Sequence, residues 1–251
     1  MKGAGAWLGS VLVALGWIAT WQLVANAGLI SPVFFPGPDR CFGVLWEHLH
    51  DPEFWTAFGE MLRRMVFGFL SATLVGITAG GAIGMSPALR TYVVPTLELI
   101  RPLPASAIIP VFVLVLGLND TMIISVIAFA SLWPVLLATV HGFRIIDPRL
   151  IEVSRLLGLS KLEFVWKIAL PNAMPDIFAG VRLALTVSLI LAVVTEMLSG
   201  MIGLGHNIMM AARAFRSADL YAGIIVLGAV GYATNIVLEH MERHVLRWRS
   251  P

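Results

Sequence analysis

Six strongly apolar stretches alternate with polar or proline-rich segments along this chain. They cover residues 7–28, 65–89, 91–118, 121–143, 177–198 and 220–238. A helix needs about 20 apolar residues to cross the ~30 Å hydrocarbon core of a bilayer, and each stretch is close to that length or longer. The pattern predicts an all-α, polytopic membrane protein with about six transmembrane helices.

The first apolar stretch fits two interpretations. Ala25-Asn26-Ala27 resembles the small-residue site at which signal peptides are cleaved. However, the apolar core is longer than the ~7–15 residues of a signal peptide, and a single lysine, Lys2, precedes it. These features favour an uncleaved first helix. The linker at 30–60 contains a short amphipathic piece, Arg40–His50, which we expect to lie at the outer membrane interface.

In the second apolar stretch, Gly76, Gly80 and Gly84 recur every four residues. This spacing places them on one face of a helix, where small residues let another helix approach closely. Helix packing is the expected role of these glycines, and a gate in a transport path is the alternative.

The stretch 91–118 is apolar but carries Glu98, Arg101 and four prolines. Prolines interrupt a helix, and broken backbone at membrane depth is tolerated where protein or a water-filled cavity satisfies its polar groups. The charges of Glu98 and Arg101 can offset each other at their three-residue spacing, or both can lie near the cytoplasmic interface. A role in a transport path is open for this bend. Its candidate residues are Arg101, Pro102 and Ser106.

The stretch 177–198 carries Arg182 near its start and Glu196 near its end. Both positions let a long side chain reach a membrane interface, which is the expected arrangement. Thr195 and Glu196 are also candidates for an outer vestibule of a transport path. Residues 199–219 contain three closely spaced glycines and are expected to form a flexible outer loop.

Composition supports a membrane protein. Hydrophobic residues make up 58% of the 251 residues and charged residues 13%, against about 25% charged in soluble domains. The net charge of +2 is small and the basic residues are dispersed, so nothing indicates nucleic-acid binding. Cys41 is the single cysteine, which excludes an intrachain disulfide and a thiolate cluster.

The 147–176 segment is the one long charge-rich stretch between apolar runs, and it predicts two short helices. Asp147 can cap the first helix, and Gly158 can take the left-handed conformation that closes it. Ser160 and Glu163 form a capping-box pattern at the start of the second. Because proline cannot continue a helix, Pro171 is expected to end it.

The first of these helices has two contrasting faces. Its charged face holds Arg149, Glu152 and Arg155, and its apolar face holds Leu150, Val153 and Leu157. Such a segment is either an amphipathic connector on the membrane surface or a docking site for another protein. The spacing alone leaves both interpretations open.

The 147–176 segment resembles the EAA loop of bacterial ABC-importer permeases. The matching residues are Glu152-Val153-Ser154, Gly158 four residues on, and the exit Ile168-Ala169-Leu170-Pro171. Val153 stands where the family pattern has alanine. The resemblance implies that a loop at about 144–176 couples the chain to an ATPase. The implied coupling residues are Glu152, Val153, Ser154, Arg155, Gly158, Leu170 and Pro171.

The resemblance covers nearly the whole chain, from about Trp17 to Trp248. Four further runs are similar to the sulfonate/nitrate/taurine branch of the family: Pro36-Gly37-Pro38, Arg101–Pro104, Gly180–Leu185 and Thr195–Leu198. The resemblance implies a type I ABC-importer transmembrane domain at 57–243. A first transmembrane helix and outer linker at 1–56 would precede it, and a cytoplasmic tail at 244–251 would follow it.

The function implied by this resemblance is that of a membrane-spanning permease subunit in the bacterial inner membrane. The implied partners are a second copy of the chain, a cytoplasmic ATPase dimer that binds ATP and Mg, and an extracytoplasmic solute-binding protein. The chain itself would hold no cofactor. The branch suggests a small anion as solute: sulfonate, taurine, nitrate or bicarbonate. A neutral vitamin-like heterocycle is the alternative.

Two other classes of protein remain to be weighed. An ATPase-independent secondary transporter would suit the broken stretch 91–118, but we find no inverted repeat and few mid-membrane acids in the sequence. An enzyme would need a nucleophile paired with a base, and the sequence has no phosphate-binding loop, H-E-x-x-H or G-x-S-x-G motif. His240 and His244 are expected to mark a solvated helix end rather than a metal site. We therefore expect no enzymatic activity.

The distribution of lysine and arginine predicts the orientation of the chain. With six spans and a cytoplasmic amino terminus, ten basic residues lie inside: Lys2, Arg90, Arg144, Arg149, Arg155, Lys161, Lys167, Arg243, Arg247 and Arg249. Five lie outside: Arg40, Arg63, Arg64, Arg213 and Arg216. The excess inside favours two cytoplasmic termini and a cytoplasmic 147–176 segment.

Overall fold

The computed structural model describes residues 2–247, with the backbone alone for residues 2–8. Arg249, part of the tail expected at 244–251, lies outside the described residues. Within the described range the chain is helical and contains no strand, as predicted. The helices are α1 (Lys2–Asn26), α2 (Pro38–Leu49), α3 (Pro52–Met85), α4 (Pro87–Ile100), α5 (Ala105–Leu116), α6 (Asp120–Arg144), α7 (Pro148–Leu156), α8 (Lys161–Phe164), α9 (Leu170–Ser199), α10 (Leu204–Arg213) and α11 (Ser217–Val245).

Five of the described helical stretches are long and apolar enough to cross a membrane. They are α1, α3, α6, α11 and a continuous helix, Lys161–Ser199, in which a π-helical turn joins α8 to α9. The helices α4 and α5 are bent by 94° relative to each other at the break between them. Counting this bent pair as one span gives the six predicted spans. The break falls at Pro102 and Pro104, where the prolines predicted it.

Side-chain caps fix the starts of the two long helices α3 and α6. Asp51 Oδ1 accepts the Glu53 N–H at 3.0 Å, and Asn119 Oδ1 accepts the Met122 N–H at 2.9 Å. Each bond satisfies a donor that a helix start otherwise leaves free. The boundaries of these two helices therefore follow from local sequence.

Glycines let α3, α6 and α9 pack closely at the centre of the bundle. A Cβ atom added at Gly76 of α3 would lie 2.8 Å from Val135 Cβ, and one at Gly84 would lie 2.7 Å from Phe143 Cβ. Such distances are shorter than any normal contact, so a larger residue would push α6 away from α3. The packing role predicted for the glycine stripe is confirmed.

The first two helices lie at the edge of the fold. Most described side chains of α1 are exposed, but its Trp21 donates to Pro36 O at 3.0 Å and packs on Tyr221 of α11 with ring centroids 5.8 Å apart. The helix predicted at Arg40–His50 is confirmed as α2. Its Cys41 is fully buried, and burial raises the pKa of the thiol.

The prediction that residues 199–219 form a flexible loop is wrong, because α10 occupies much of that stretch. Leu204, Ile208 and Ala211 are buried on one face of this helix. Gly205 allows the backbones of α10 and α9 to approach each other closely, since a Cβ atom there would lie 2.3 Å from Val193 O. The one-sided apolar spacing of a short helix was the signal that the glycines obscured.

Candidate functional site

The 147–176 segment begins its two helices at the predicted caps. Asp147 Oδ1 accepts the Arg149 N–H at 2.9 Å. The Ser160 N–H donates to Glu163 Oε2 at 3.0 Å, and the Glu163 N–H donates to Ser160 Oγ at 3.3 Å. This reciprocal pair is a capping box, so the local sequence sets the direction in which the second helix leaves the turn.

Gly158 closes α7 in a left-handed conformation, with φ of +65°. The Leu159 N–H donates to Ser154 O at 3.0 Å, and the Gly158 N–H donates to Arg155 O at 3.1 Å. These two bonds form a Schellman turn. A Cβ atom at Gly158 would meet nothing within 4 Å, so the backbone conformation, not lack of space, calls for glycine here.

The apolar face of α7 points away from the chain. Ser154 is buried and Ile151 packs against the core, but Leu150 and Val153 are exposed. Four large apolar side chains in and after α7 are more than half exposed: Leu156 (86%), Leu157 (68%), Leu162 (68%) and Trp166 (64%). A clustered apolar surface of this kind beside charged residues is typical of a protein-binding site. We call these four residues the exposed apolar patch.

The charged face of α7 is also open to the surroundings. Arg149, Glu152 and Arg155 are exposed, and none of them forms an ion pair with another residue in the described part of the chain. Further along the chain the charges are paired, because Lys167 Nζ lies 2.8 Å from Glu163 Oε1. The charges of α7 are therefore available to a partner.

Pro171 does not end the second helix, so that prediction is wrong. Before it the chain makes a π-helical turn, Val165–Ala169, in which the Leu170 N–H bonds to Val165 O. Pro171 then falls in the first turn of α9, where a missing N–H removes no required donor. The wider turn also leaves room for the proline ring, and the helix continues from the segment into the bundle.

This uninterrupted helix links the exposed apolar patch to the centre of the fold. Its 39 residues extend about 58 Å at ~1.5 Å per residue, well beyond the ~30 Å core of a bilayer. Leu162 and Trp166 lie on its first turns, whereas Ala173 and Ala184 further along are fully buried in the core. The segment is therefore joined to the bundle by a continuous helix.

An ion-pair cluster around the buried Arg64 ties α3, α6 and α9 together at the end remote from the 147–176 segment, and within it Glu196 is buried while Asp120 is partly exposed. Arg64 Nη1 lies 3.0 Å from Glu196 Oε1, and Arg64 Nε lies 2.8 Å from Asp120 Oδ1. Arg64 also donates to Ile202 O at 2.6 Å, and the Gly205 N–H donates to Glu196 Oε2 at 3.1 Å. We call Arg64, Asp120 and Glu196 the Arg64 cluster.

Glu196 does not reach an interface, contrary to expectation, and both Glu196 and Thr195 are fully buried. A carboxylate inside an apolar bundle is costly unless it is paired, and Arg64 supplies the pair. The Thr195 hydroxyl has no hydrogen-bond partner within the described residues. The role of these two residues in a transport path stays a prediction.

The other candidate path residues, Arg101, Pro102 and Ser106, are exposed at the break between α4 and α5. Glu98 is exposed as well and forms no ion pair with Arg101, so the charge offset that their spacing allows is absent between these described residues. Arg101 lines a cavity of about 430 Å³ that includes neither Thr195 nor Glu196. The path role of Arg101, Pro102 and Ser106 also stays a prediction, at a place separate from the Arg64 cluster.

Sequence reasoning missed Arg64 as the partner of Glu196, and it missed Asp120 as the second carboxylate that pairs with Arg64. The available signal was Glu196 itself, because an acid within an apolar stretch requires a cation nearby. The sequence does not choose between the adjacent residues Arg63 and Arg64, which differ only in the helix face they occupy.

Comparison with known proteins agrees with the architecture. Residues 72–249 match the family described as binding-protein-dependent transport system inner membrane component. The chain is 30% identical to SsuC of Bacillus subtilis (strain 168), a permease protein named for aliphatic sulfonates transport, over 97% of this chain and 88% of that one. It is 29% identical to the taurine transport system permease protein TauC of Escherichia coli (strain K12), over 93% of this chain and 86% of that one.

A solved structure of the MetNI methionine ABC transporter in inward-facing conformations has a similar fold. The TM-score is 0.64 at 18% identity, and the match covers 77% of this chain and 96% of that one. At this identity the likeness concerns the fold alone, and it confirms the expected transmembrane-domain architecture.

The family match spans well over half of the chain, and the relatives are transport permeases rather than enzymes. With its apolar spans, the chain is a multi-pass protein of the bacterial inner membrane. The secondary-transporter interpretation is thereby set aside. The chain belongs to the family of inner-membrane components of binding-protein-dependent transport systems, as the permease subunit of an ABC importer.

Proposed function

We propose that two copies of this chain form the path of an importer for a small anion, driven by a separate cytoplasmic ATPase that docks on the 147–176 segment. One observation carries this proposal: two residues of the exposed apolar patch, Leu162 and Trp166, lie on the first turns of a continuous helix that runs into the core. Leu162 and Trp166 supply contact area, and the helix supplies a rigid connection. An extracytoplasmic binding protein delivers the solute on the other side.

The chemistry of the segment defines what the ATPase must offer. An apolar groove would cover the patch, and basic groups would pair with Glu152, whose carboxylate is exposed. ATP binding closes the ATPase pair, the two docked segments follow, and the path changes from inward-facing to outward-facing. ATP and Mg bind to the ATPase, since this chain has no phosphate-binding loop in its sequence.

The assignment of an anionic solute is based on the relatives of this chain. SsuC is named for aliphatic sulfonates and TauC for taurine, and both of these solutes carry a sulfonate group. Nitrate and bicarbonate also present one anionic group and remain in the proposed class. Transport of a neutral heterocycle instead would contradict this assignment.

The docking proposal predicts the effect of two substitutions in α7. Glu152→Lys reverses the charge offered to the ATPase, and Gly158→Val forces a branched residue into the left-handed conformation at a cost of about 1–2 kcal/mol. Both should abolish uptake and weaken co-purification of the ATPase, with membrane insertion and dimer formation retained. Pull-down of the ATPase and solute uptake are measured in the same cells.

Matched controls come from α2. Glu47→Lys reverses an exposed charge that has no ion-pair partner among the described residues. Gly43→Val adds the same side chain at an exposed glycine with open space and without positive φ. Both controls should bind the ATPase normally. If the two α7 variants also bind it and transport normally, the segment is only a connector.

The solute class is tested by ATP-driven uptake into proteoliposomes that contain the permease, its ATPase and its binding protein. Labelled taurine, nitrate, bicarbonate and a neutral vitamin-like heterocycle, represented by a pyrimidine, are compared. We expect uptake of at least one anion and none of the pyrimidine. Uptake of the pyrimidine alone would overturn the anion assignment but leave the docking proposal intact.

A further inference from the structure

A cavity of about 430 Å³ lies beside the break between α4 and α5. One wall is the middle of α6, with Phe129 and Trp133, and another is the middle of α9, with Val187. Because both helices span the membrane, the cavity lies near mid-depth. Among the described residues that line it, Arg101 alone carries a charge.

The guanidinium of Arg101 has no partner among the side chains described for residues 9–247. Arg101 forms neither an ion pair nor a side-chain hydrogen bond with any of the described residues. An unpaired arginine at mid-membrane is costly unless it faces protein, water or a ligand. Arg101 therefore faces either the second copy of the chain or a water-filled path.

The backbone beside Arg101 leads to the same conclusion. Pro102 and Pro104 interrupt the helix, and residues 101–104 are exposed. Non-helical backbone at membrane depth is tolerated where it lines a water-filled cavity or is covered by protein. The helix α5 also starts at Ala105, so its positive dipole end adds to the field of Arg101.

We propose that this cavity is a mid-membrane binding site for a small organic anion, with Arg101 holding a sulfonate or carboxylate group and the aromatic wall holding the apolar body. This inference rests on the proposed transport of an anion. The planar guanidinium can donate two parallel hydrogen bonds to such a group. Phe129 and Trp133, with ring centroids 5.6 Å apart, form an apolar surface that a hydrated inorganic ion would not use.

The test measures the cavity directly, without transport. The full chain is placed in nanodiscs, and the signal of Trp133 is isolated as the fluorescence difference between the wild-type protein and the Trp133→Phe variant. Iodide, an anionic quencher, should reach Trp133 more readily when Arg101 is present. Arg101→Gln should lower the iodide quenching constant about five-fold, as expected for loss of one charge at close range.

Three controls separate the effect of the lost charge from an effect on folding. Acrylamide is neutral, so its quenching of Trp133 should be the same in the wild-type protein and in Arg101→Gln if the cavity is intact. Arg101→Lys should retain most of the iodide quenching. Arg213→Gln, which removes an exposed arginine outside the cavity lining, should retain all of it.

Ligand class is tested with butanesulfonate and the neutral butanesulfonamide. Butanesulfonate should protect Trp133 from iodide in the wild-type protein and not in Arg101→Gln, whereas butanesulfonamide should not protect in either. Unchanged iodide quenching in Arg101→Gln, or equal protection by both compounds, would overturn the site. Protection by nitrate as strong as that by butanesulfonate would overturn the organic-anion assignment.

The two proposals fail in different ways. If wild-type proteoliposomes show no ATP-driven anion uptake while Trp133 quenching still depends on Arg101, the proposed function is wrong and the site stands. If uptake of taurine is normal in Arg101→Gln and quenching is unchanged, the function stands and the site is wrong.

Discussion

At the scale of single residues, two neighbouring arginines show how position decides the role of a charge. Arg64 is 3% exposed and bonds to Asp120 and Glu196, which lie on two other helices. The side chain of Arg63 is 41% exposed and pairs with Glu60 on its own helix and with Asp120. A buried charge that loses its partner has no water to replace it, whereas an exposed one does.

This contrast predicts very different costs for the same substitution. Arg64→Ala should lower the free energy of unfolding by about 3–5 kcal/mol, because it leaves the Glu196 carboxylate buried without a cation. Arg63→Ala should cost about 0–1 kcal/mol, the range of surface ion pairs. Thermal unfolding of both purified variants in the same detergent measures the difference. Equal losses would show that the Arg64 cluster is not a buried ion pair in the membrane protein.

The limits of sequence reasoning are visible at the same residues. The caps at Asp147 and Ser160 were predicted because each bond joins residues within three positions of each other. The partner of Glu196 was not predicted, because Arg64 is 132 positions away and is brought close only by the packing of α3 on α9. Hydrogen bonds between residues close in sequence can be predicted from the sequence. Ion pairs between different helices of the bundle depend on how those helices pack.

At the scale of helices, the predictions succeeded for long apolar patterns and failed where a proline or glycine was expected to interrupt a helix. The long apolar helices follow from composition, but Pro171 and the glycines of 199–219 do not act as the helix breakers that local rules predict. In the fold, a π-helical turn absorbs Pro171, and Gly205 lets the backbone approach Val193. The role of Pro171 depends on a wider turn and that of Gly205 on a tertiary contact, and no local rule specifies either.

The glycine stripe of α3 leads to a prediction for that helix. Gly76→Val would place its Cβ atom 2.8 Å from Val135 Cβ and should destabilise the fold by about 1–3 kcal/mol through overpacking. Gly59→Val is the control in the same helix, since a Cβ atom there meets nothing within 4 Å. Unfolding temperature and yield are compared. A loss in Gly59→Val as large as that in Gly76→Val would mean that helix propensity, not packing against α6, requires the glycines.

At the scale of the whole molecule, the bent pair α4 and α5 decides the topology. If the pair crosses the membrane, the chain has six spans and both termini are cytoplasmic, as the arginine and lysine count predicts. If the pair returns to the side it came from, five spans put the termini on opposite sides. A carboxy-terminal reporter active in the cytoplasm is the expected result, and activity only in the periplasm would show that the pair is re-entrant.

The absence of a phosphate-binding loop predicts the behaviour of the isolated chain. Purified without its ATPase, the protein should hydrolyse no ATP, and adding the ATPase should restore activity. Phosphate release is measured before and after addition. Sustained hydrolysis by a preparation free of partner subunits would contradict the assignment of the energy source to another chain.

The Arg64 cluster also determines how the bundle can deform. At one end of the bundle the buried pair Arg64–Glu196 joins α3 to α9, and the partly exposed Asp120 joins α6 to Arg64. Toward the other end the contact between His141 and Asp176 is partly exposed. About 39 Å of helix axis separates Glu196 from Leu170, so a tilt of about 5° at the Arg64 cluster moves the far end by about 3 Å. If the Arg64 cluster stays closed during such a tilt, α3 and α9 separate most at the end that carries the 147–176 segment.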